Sequence, residues 1–182
     1  MHFKLLRILL SVILIPVIMS SCVTNKNTKS IDKTTIGDFD LNRYLGSCYE
    51  IARFDHKFER GMVGTKAEYS LEPNGMIKVV NSGYKGGFDG KYKEAIGKAK
   101  RANKDNPSML KVSFFLWFYG EYNILELDKE NYSYALIGSS TSKYLWILAR
   151  EPKLSEEIKD KLLKSAQERG YDTTKLIWVE HK

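Results

Sequence analysis

Two side chains of this chain are thiols, Cys22 and Cys48, and three histidines, His2, His56 and His181, are candidate bases. A catalytic thiol needs a lowered pKa and a base within reach. Nothing in the spacing brings a histidine to Cys48. His2 falls in an apolar leader, His56 follows the strand that carries Cys48, and His181 lies in the C-terminal tail. Cys48 therefore reads as a small buried apolar residue, with a thiol-dependent isomerase as the enzymatic alternative. No metal-ligand cluster, phosphate-cradling glycine loop, GxSxG or paired-carboxylate motif is present. No cofactor, no metal and no enzymatic chemistry are expected. A group of cations does stand out: Arg53, His56, Lys57 and Arg60. They suit a carboxylate or phosphate headgroup, or are simply the solvated side of a loop.

Cys22 offers a different chemistry. Lys4 and Arg7 precede an apolar run from Ile8 to Met19, which ends in Ser20-Ser21-Cys22. The run is short for a membrane-spanning helix and has the pattern of a secretory signal. The cysteine after two small residues is similar to the bacterial lipobox, in which that thiol is acylated and opens the mature protein. The segments expected are a signal peptide over 1–21, an acylated cysteine and polar tether over 22–37, and a domain over 38–182. A second acyl chain turns marginal membrane binding into stable anchoring, so an outer-membrane, lipid-anchored location follows from that resemblance. With Cys22 modified, Cys48 has no intrachain partner for a disulfide.

Composition narrows the classes further. Hydrophobic residues make up 43% and the formal charge is +7, which describes a folded, basic domain and excludes a disordered chain. Lys and Glu are mixed along the sequence and no recognition motif occurs, so nucleic acid is not expected as a partner. Anionic lipid headgroups fit the same charge.

The elements that must position these residues are mostly strands. Short runs rich in Tyr, Phe, Val and Ile suggest strands near 44–54, 65–72, 76–84, 91–100, 109–115, 120–128, 131–139 and 143–150. Pro73-Asn74-Gly75 marks a tight hairpin. Ser155-Glu156-Glu157 caps a helix whose apolar stripe is Ile158, Leu162, Leu163 and Ala166, with Gly170 just past its end. A short ninth strand falls at 175–179. The fold class is all-β: an eight-stranded antiparallel up-and-down β-barrel with one C-terminal α-helix and a ninth strand.

Several segments carry a specific resemblance. They are Arg43-Tyr44-Leu45-Gly46, Tyr49 to Gly61, Ala67 to Leu71, Leu110 to Phe115, Tyr144 to Arg150 and Leu176 to Val179. Together they resemble the lipocalin family, and within it the bacterial outer-membrane lipoprotein lipocalins and their apolipoprotein D-like and plant temperature-induced relatives. The resemblance implies a barrel open at one end that binds fatty acids or lysophospholipids. It places Tyr69 and Trp146 in the pocket. Alternation adds Tyr144 on the strand of Trp146, and Leu110, Val112 and Phe114 on another. The first-to-second-strand loop, with Arg53, His56, Lys57 and Arg60, lies at the open end. So does the aromatic run Phe114 to Tyr119, including Trp117, which reads equally as a ligand lid, a membrane contact or a homodimer interface. Docking on an envelope partner through this mouth is a further alternative.

The resemblance has one departure. The family opens its first strand with Gly-x-Trp and covers that indole with a late-strand arginine. Here the motif is Gly46-Ser47-Cys48, with Arg150 retained. Tyr44, Phe39 and Trp178 are the candidate residues to refill the floor.

Overall fold

The computed structural model describes residues 30–182, so Cys22 and the leader lie outside the described residues. The strands are β1 (Gly46–Phe54), β2 (Met62–Leu71), β3 (Ile77–Lys85), β4 (Lys91–Arg101), β5 (Met109–Phe115), β6 (Phe118–Leu127), β7 (Tyr134–Gly138), β8 (Leu145–Ala149) and β9 (Leu176–Trp178). Two α-helices accompany them, α1 (Leu41–Tyr44) and α2 (Glu156–Glu168). Strands β1 to β8 pair antiparallel in chain order, and β1 pairs with both β8 and β2. The sheet is therefore closed. Closure removes the exposed edges that an open sheet presents.

Local chemistry sets the connections. Gly75 sits at φ +81° in the β2–β3 turn, where Glu72 donates its N–H to the Met76 carbonyl at 2.8 Å. The seventh strand starts later than its apolar pattern suggests. Asp128 accepts from the backbone N–H groups of Glu130 and Ser133 and from Ser133 Oγ at 2.5 Å, which holds 128–133 as a turn. The second strand starts earlier, because a bulge at Gly64 (φ +59°) lets pairing with β3 continue to Met62. Helix α1, too short to show a sequence period, is capped by Asp40, whose carboxylate accepts from the Asn42 N–H at 2.9 Å.

Strand alternation builds two shells. Ile77, Val79, Ala99, Leu110, Ile124, Ile137 and Leu148 fill the lower barrel interior. Ile51, Leu125, Leu136, Leu145 and Ile147 face outward and pack under Leu162 and Ala166 of α2 and under Tyr171. Leu162 is fully buried, and burial of one such side chain contributes about 1.5–3 kcal/mol. Ser155 caps α2 through the Ile158 N–H, and Gly170 ends it at φ +93°.

Two segments lie along the barrel rather than within it. Residues 30–37, expected as the end of a tether, run beside β6. Lys33 pairs with Glu121 at 3.9 Å, and Ile36 donates its N–H to the Ile124 carbonyl at 3.0 Å. Both chains therefore run from the open end toward the closed end. The second segment is β9 with its tail. β2 pairs with β1 only from Gly46 to Tyr49. Above that, β9 takes its place against Ala52–Phe54, and Val179 donates to the Ile51 carbonyl at 3.0 Å. Gly64 of β2 donates to Glu180 at 2.8 Å, so the tail bridges the gap.

Candidate ligand site in the barrel

The hairpin loops 55–61, 86–90, 116–117 and 139–144 all lie at one end, the mouth. Below it, Tyr144 and Trp146 project from β8 into the barrel as a stacked pair, with ring centroids 5.8 Å apart at 11°. His56 folds in from the first loop and meets Trp146 edge-on at 5.5 Å and Tyr144 at 5.8 Å. Trp146 and Tyr144 thus stand where alternation places them. His56 is a buried part of the wall rather than a solvated loop residue.

Arg53 departs further from expectation. It is 1% exposed and its guanidinium is already engaged. Nη1 donates to Glu50 Oε1 at 2.6 Å, and Nη2 donates to the carbonyls of Glu59 at 2.8 Å and Met62 at 3.2 Å. Thr65 Oγ1 also donates to Glu50, at 3.2 Å. Glu59 accepts from Trp146 Nε1 at 3.4 Å and from Asn81 Nδ2 at 3.3 Å, and lies 2.8 Å from His56 Nε2. The buried guanidinium thus meets one buried carboxyl, that of Glu50, while a second, that of Glu59, lies close enough to act on Glu50. Burial, reinforced by the charge of Glu59, pushes the Glu50 carboxyl up to about 8. Burial also works upward on Glu59, but bonds from His56, Glu50 and Trp146 hold it below its ordinary range. A proton kept on Glu50 leaves the cluster closer to neutral, which is how a low-dielectric interior accommodates such a pair. Of the mouth cations, Lys57 and Arg60 are exposed, and Arg60 pairs with Asp55 at 2.7 Å.

Deeper in the barrel, three phenols meet. Tyr122 Oη lies 2.6 Å from Tyr44 Oη and 2.9 Å from Tyr69 Oη. Burial raises the pKa of all three, so they remain neutral. Three hydroxyl protons serve two such contacts, which leaves one O–H free to donate to a further oxygen. Tyr69 was legible in the sequence. Tyr122 was not, because the bulge of β6 between Ile124 and Glu126 obscures its alternation.

The opposite wall is open. Leu110, Val112 and Phe114 face inward on β5. Leu110 is buried in the lower core, while Phe114, higher up, is 42% exposed. Gly97 of β4 makes room for Phe114: a Cβ there would come within 2.7 Å of the ring. Ala95 shares the inward register of Gly97 and buried Ala99, yet it is exposed. An inward-facing alanine reached by solvent marks unfilled space in the upper barrel. Trp117 is 72% exposed at the β5–β6 tip. Two further concavities, of about 610 and 590 Å³, lie outside the barrel, one beneath the floor near Phe39 and Tyr132 and one along the seam beside Trp178.

The floor is built around Arg150. Its Nη2 donates to the carbonyls of Arg43, Tyr44 and Leu45 at 2.9–3.0 Å, closing the end of α1. Its Nη1 donates to the Ser47 carbonyl at 2.9 Å and lies 3.3 Å from Cys48 Sγ. Gly46, at φ +97°, brings the chain past this guanidinium. Phe39 packs edge-on against Tyr44 at 5.2 Å, and Tyr44 meets Tyr69 at 5.4 Å, so both refill the floor. Trp178 does not: it lies on β9 at the barrel flank, 45% exposed, with Lys159 Nζ 5.6 Å from its ring. The floor's cation–π contact is Arg43 over Tyr132 at 4.2 Å. Cys48 is buried, and burial outweighs Arg150 in raising its thiol pKa. That is the reverse of thiolate activation. Among the described residues, His56 and His181 contact Glu59 and Tyr49 instead, and no cluster of metal-ligating side chains occurs.

Comparison with known proteins agrees with this geometry. A family model described as a lipocalin-like domain matches residues 39–181. The outer membrane lipoprotein Blc of Vibrio cholerae is 48% identical over 147 residues, covering 81% of this chain and 85% of that protein. Rat apolipoprotein D is 41% identical over 128 residues, covering 66% of this chain and 65% of that protein. Among solved structures, insecticyanin from the tobacco hornworm Manduca sexta superposes with a TM-score of 0.67 at 22% identity, covering 83% and 85% of the two chains, and so shares the fold.

Proposed function

This chain belongs to the lipocalin family, and from that premise we propose that it is an outer-membrane lipoprotein that binds or shuttles fatty acids or lysophospholipids. Cys22 is the acylated residue in this reading. The observation that carries the binding is Ala95: an inward-facing residue left exposed opposite the Tyr144–Trp146 stack. Phe114, Val112 and Trp146 offer apolar surface to an acyl chain there. Exposed Lys57 at the rim suits an acidic headgroup. The spare phenolic proton of the Tyr44–Tyr122–Tyr69 chain is a second polar handle at depth. The relatives named as Blc lipoproteins support the location and the anchor.

Native mass spectrometry of the purified, delipidated protein against fatty acids, lysophospholipids and diacyl phospholipids tests the reading. Retention of one single-chain lipid per barrel is expected. Failure to retain any acyl-chain ligand would sink it.

A further inference from the structure

We infer that the mouth of the barrel faces a lipid bilayer bearing anionic headgroups, with the β5–β6 tip seated in its interface. The inference rests on the proposed acylation of Cys22, and three observations point the same way.

The first is the tip itself. Phe115, Leu116, Trp117 and Phe118 are 67%, 54%, 72% and 65% exposed. Leu116, at φ +49°, turns the hairpin so that Phe115 and Phe118 stack at 6.3 Å with their outer faces free. Phe58, on the neighbouring mouth loop, is 82% exposed. Leaving such surface in water is unfavourable, and aromatic side chains partition well into the membrane interface.

The second is charge. The mouth connections and adjoining strand ends carry exposed Lys57, Arg60, Lys85, Lys91 and Lys143, against exposed Asp55 and Asp89. Asp55 is already paired with Arg60. An aromatic tip ringed by cations is the composition of an interfacial anchor on an anionic surface.

The third is the course of residues 30–36. Residues 30–36 descend beside β6, with Lys33 level with Glu121 and Ile36 level with Ile124. Ser30 therefore sits on the mouth half of the barrel. Glu121 is four residues below Trp117, about 13 Å along a strand. The end of β6 at Leu127 is about 20 Å the other way. Ser30 is eight Cα–Cα steps from Cys22, a reach of at most about 29 Å. The mouth is the nearer end for an anchor on that leash, and the floor the farther one. A ligand entering or leaving the mouth would then pass directly between bilayer and barrel.

The test uses the acylated full-length mature protein on phosphatidylethanolamine vesicles containing phosphatidylglycerol and a phospholipid brominated near the headgroup. Trp117, Trp146 and Trp178 report through single Trp→Phe variants. Quenching that disappears in Trp117→Phe, persists in Trp178→Phe and weakens without phosphatidylglycerol is the expected result. Protein that carries its acyl mass and floats with vesicles but shows no Trp117 quenching overturns the orientation and leaves the anchor intact. Quenching lost only in Trp146→Phe means that the brominated lipid entered the barrel, and also overturns it. So does a dimer in solution that shields Trp117 before vesicles are added, since a second copy then covers the tip. Absence of acyl mass on Cys22 removes the anchoring premise and this orientation with it.

Discussion

Glu50 and Arg53 face each other across 2.6 Å inside the barrel although they are three residues apart in one strand. Strict alternation would put them on opposite faces. The register of β1 against β8 shifts between Glu50 and Ala52, and that bulge turns Arg53 inward. A residue that reads as a free mouth cation is thereby committed to a buried network.

The network makes stability depend on pH in a definite direction. Glu50 titrates at about 8 in the folded protein against an ordinary value of 4.5. Between those values the folded state keeps a proton that the unfolded chain releases. The Glu50 contribution is therefore fully present below about pH 4.5 and is lost toward pH 8, by at most about 1.4 kcal/mol per unit. Glu59 acts in the opposite sense, losing stabilisation only as pH drops below the ordinary carboxylate range. Glu50→Gln keeps acceptors for Arg53 and Thr65 but cannot ionise. Urea unfolding across pH 5 to 8 should show a slope in the parent that Glu50→Gln abolishes; equal slopes would refute the assignment.

Much of this architecture was legible beforehand, and the failures share a cause. Alternation and turn residues located all eight barrel strands, the helix with Ser155 and Gly170 at its ends, and the inward set Leu110, Val112 and Phe114. What they missed lies at bulges or depends on partners distant in sequence. Arg53 sits just past the bulge of β1, and Tyr122 just before that of β6. Trp178 looked available for the floor because it is aromatic, but pairing with Ala52 fixes it on the flank. His56 reads as a headgroup-binding or solvated loop residue, yet Glu59 and two aromatic rings draw it inward.

Ala95 offers a clean separation of binding from folding. Ala95→Trp adds volume to open space, so stability should change by less than about 0.5 kcal/mol. Affinity for a single-chain fatty acid, read by displacement of a fluorescent acyl probe, should fall at least tenfold, about 1.4 kcal/mol. Unchanged affinity would place the ligand elsewhere.

At the floor, Cys48→Trp restores the family's ring where Tyr44 and Phe39 already pack. Overpacking should destabilise the barrel by about 1–3 kcal/mol. Removing Arg150 should cost more. Arg150→Ala leaves the carbonyls of Arg43, Tyr44, Leu45 and Ser47 without their donor, a loss of about 2–4 kcal/mol. A thermal scan that finds Cys48→Trp stabilising would show instead that the floor is underfilled.

One side chain ties residues 30–36 to both α2 and β6. Arg169 donates to the carbonyls of Thr34 and Leu125 and pairs with Glu126 at 3.1 Å. Arg169→Ala should accelerate amide hydrogen exchange at Asp32 and Ile36 while the barrel amides of β3 and β4 keep their protection. Exchange that rises everywhere would mean Arg169 supports the whole domain.

The seam described at β1 also governs the order of assembly. Tyr49 pairs with Ala149, a hundred residues downstream, and Ala52 pairs with Trp178 farther still. Hairpins from β1 to β8 can form as each pair of strands becomes available, but the other edge of β1 must wait for β8 and β9 near the far end of the sequence. Loop-closure entropy makes such distant pairing slow. Ring closure is then expected late in folding. Until it occurs the polypeptide remains threadable, the condition a protein needs if it must cross a membrane before it folds.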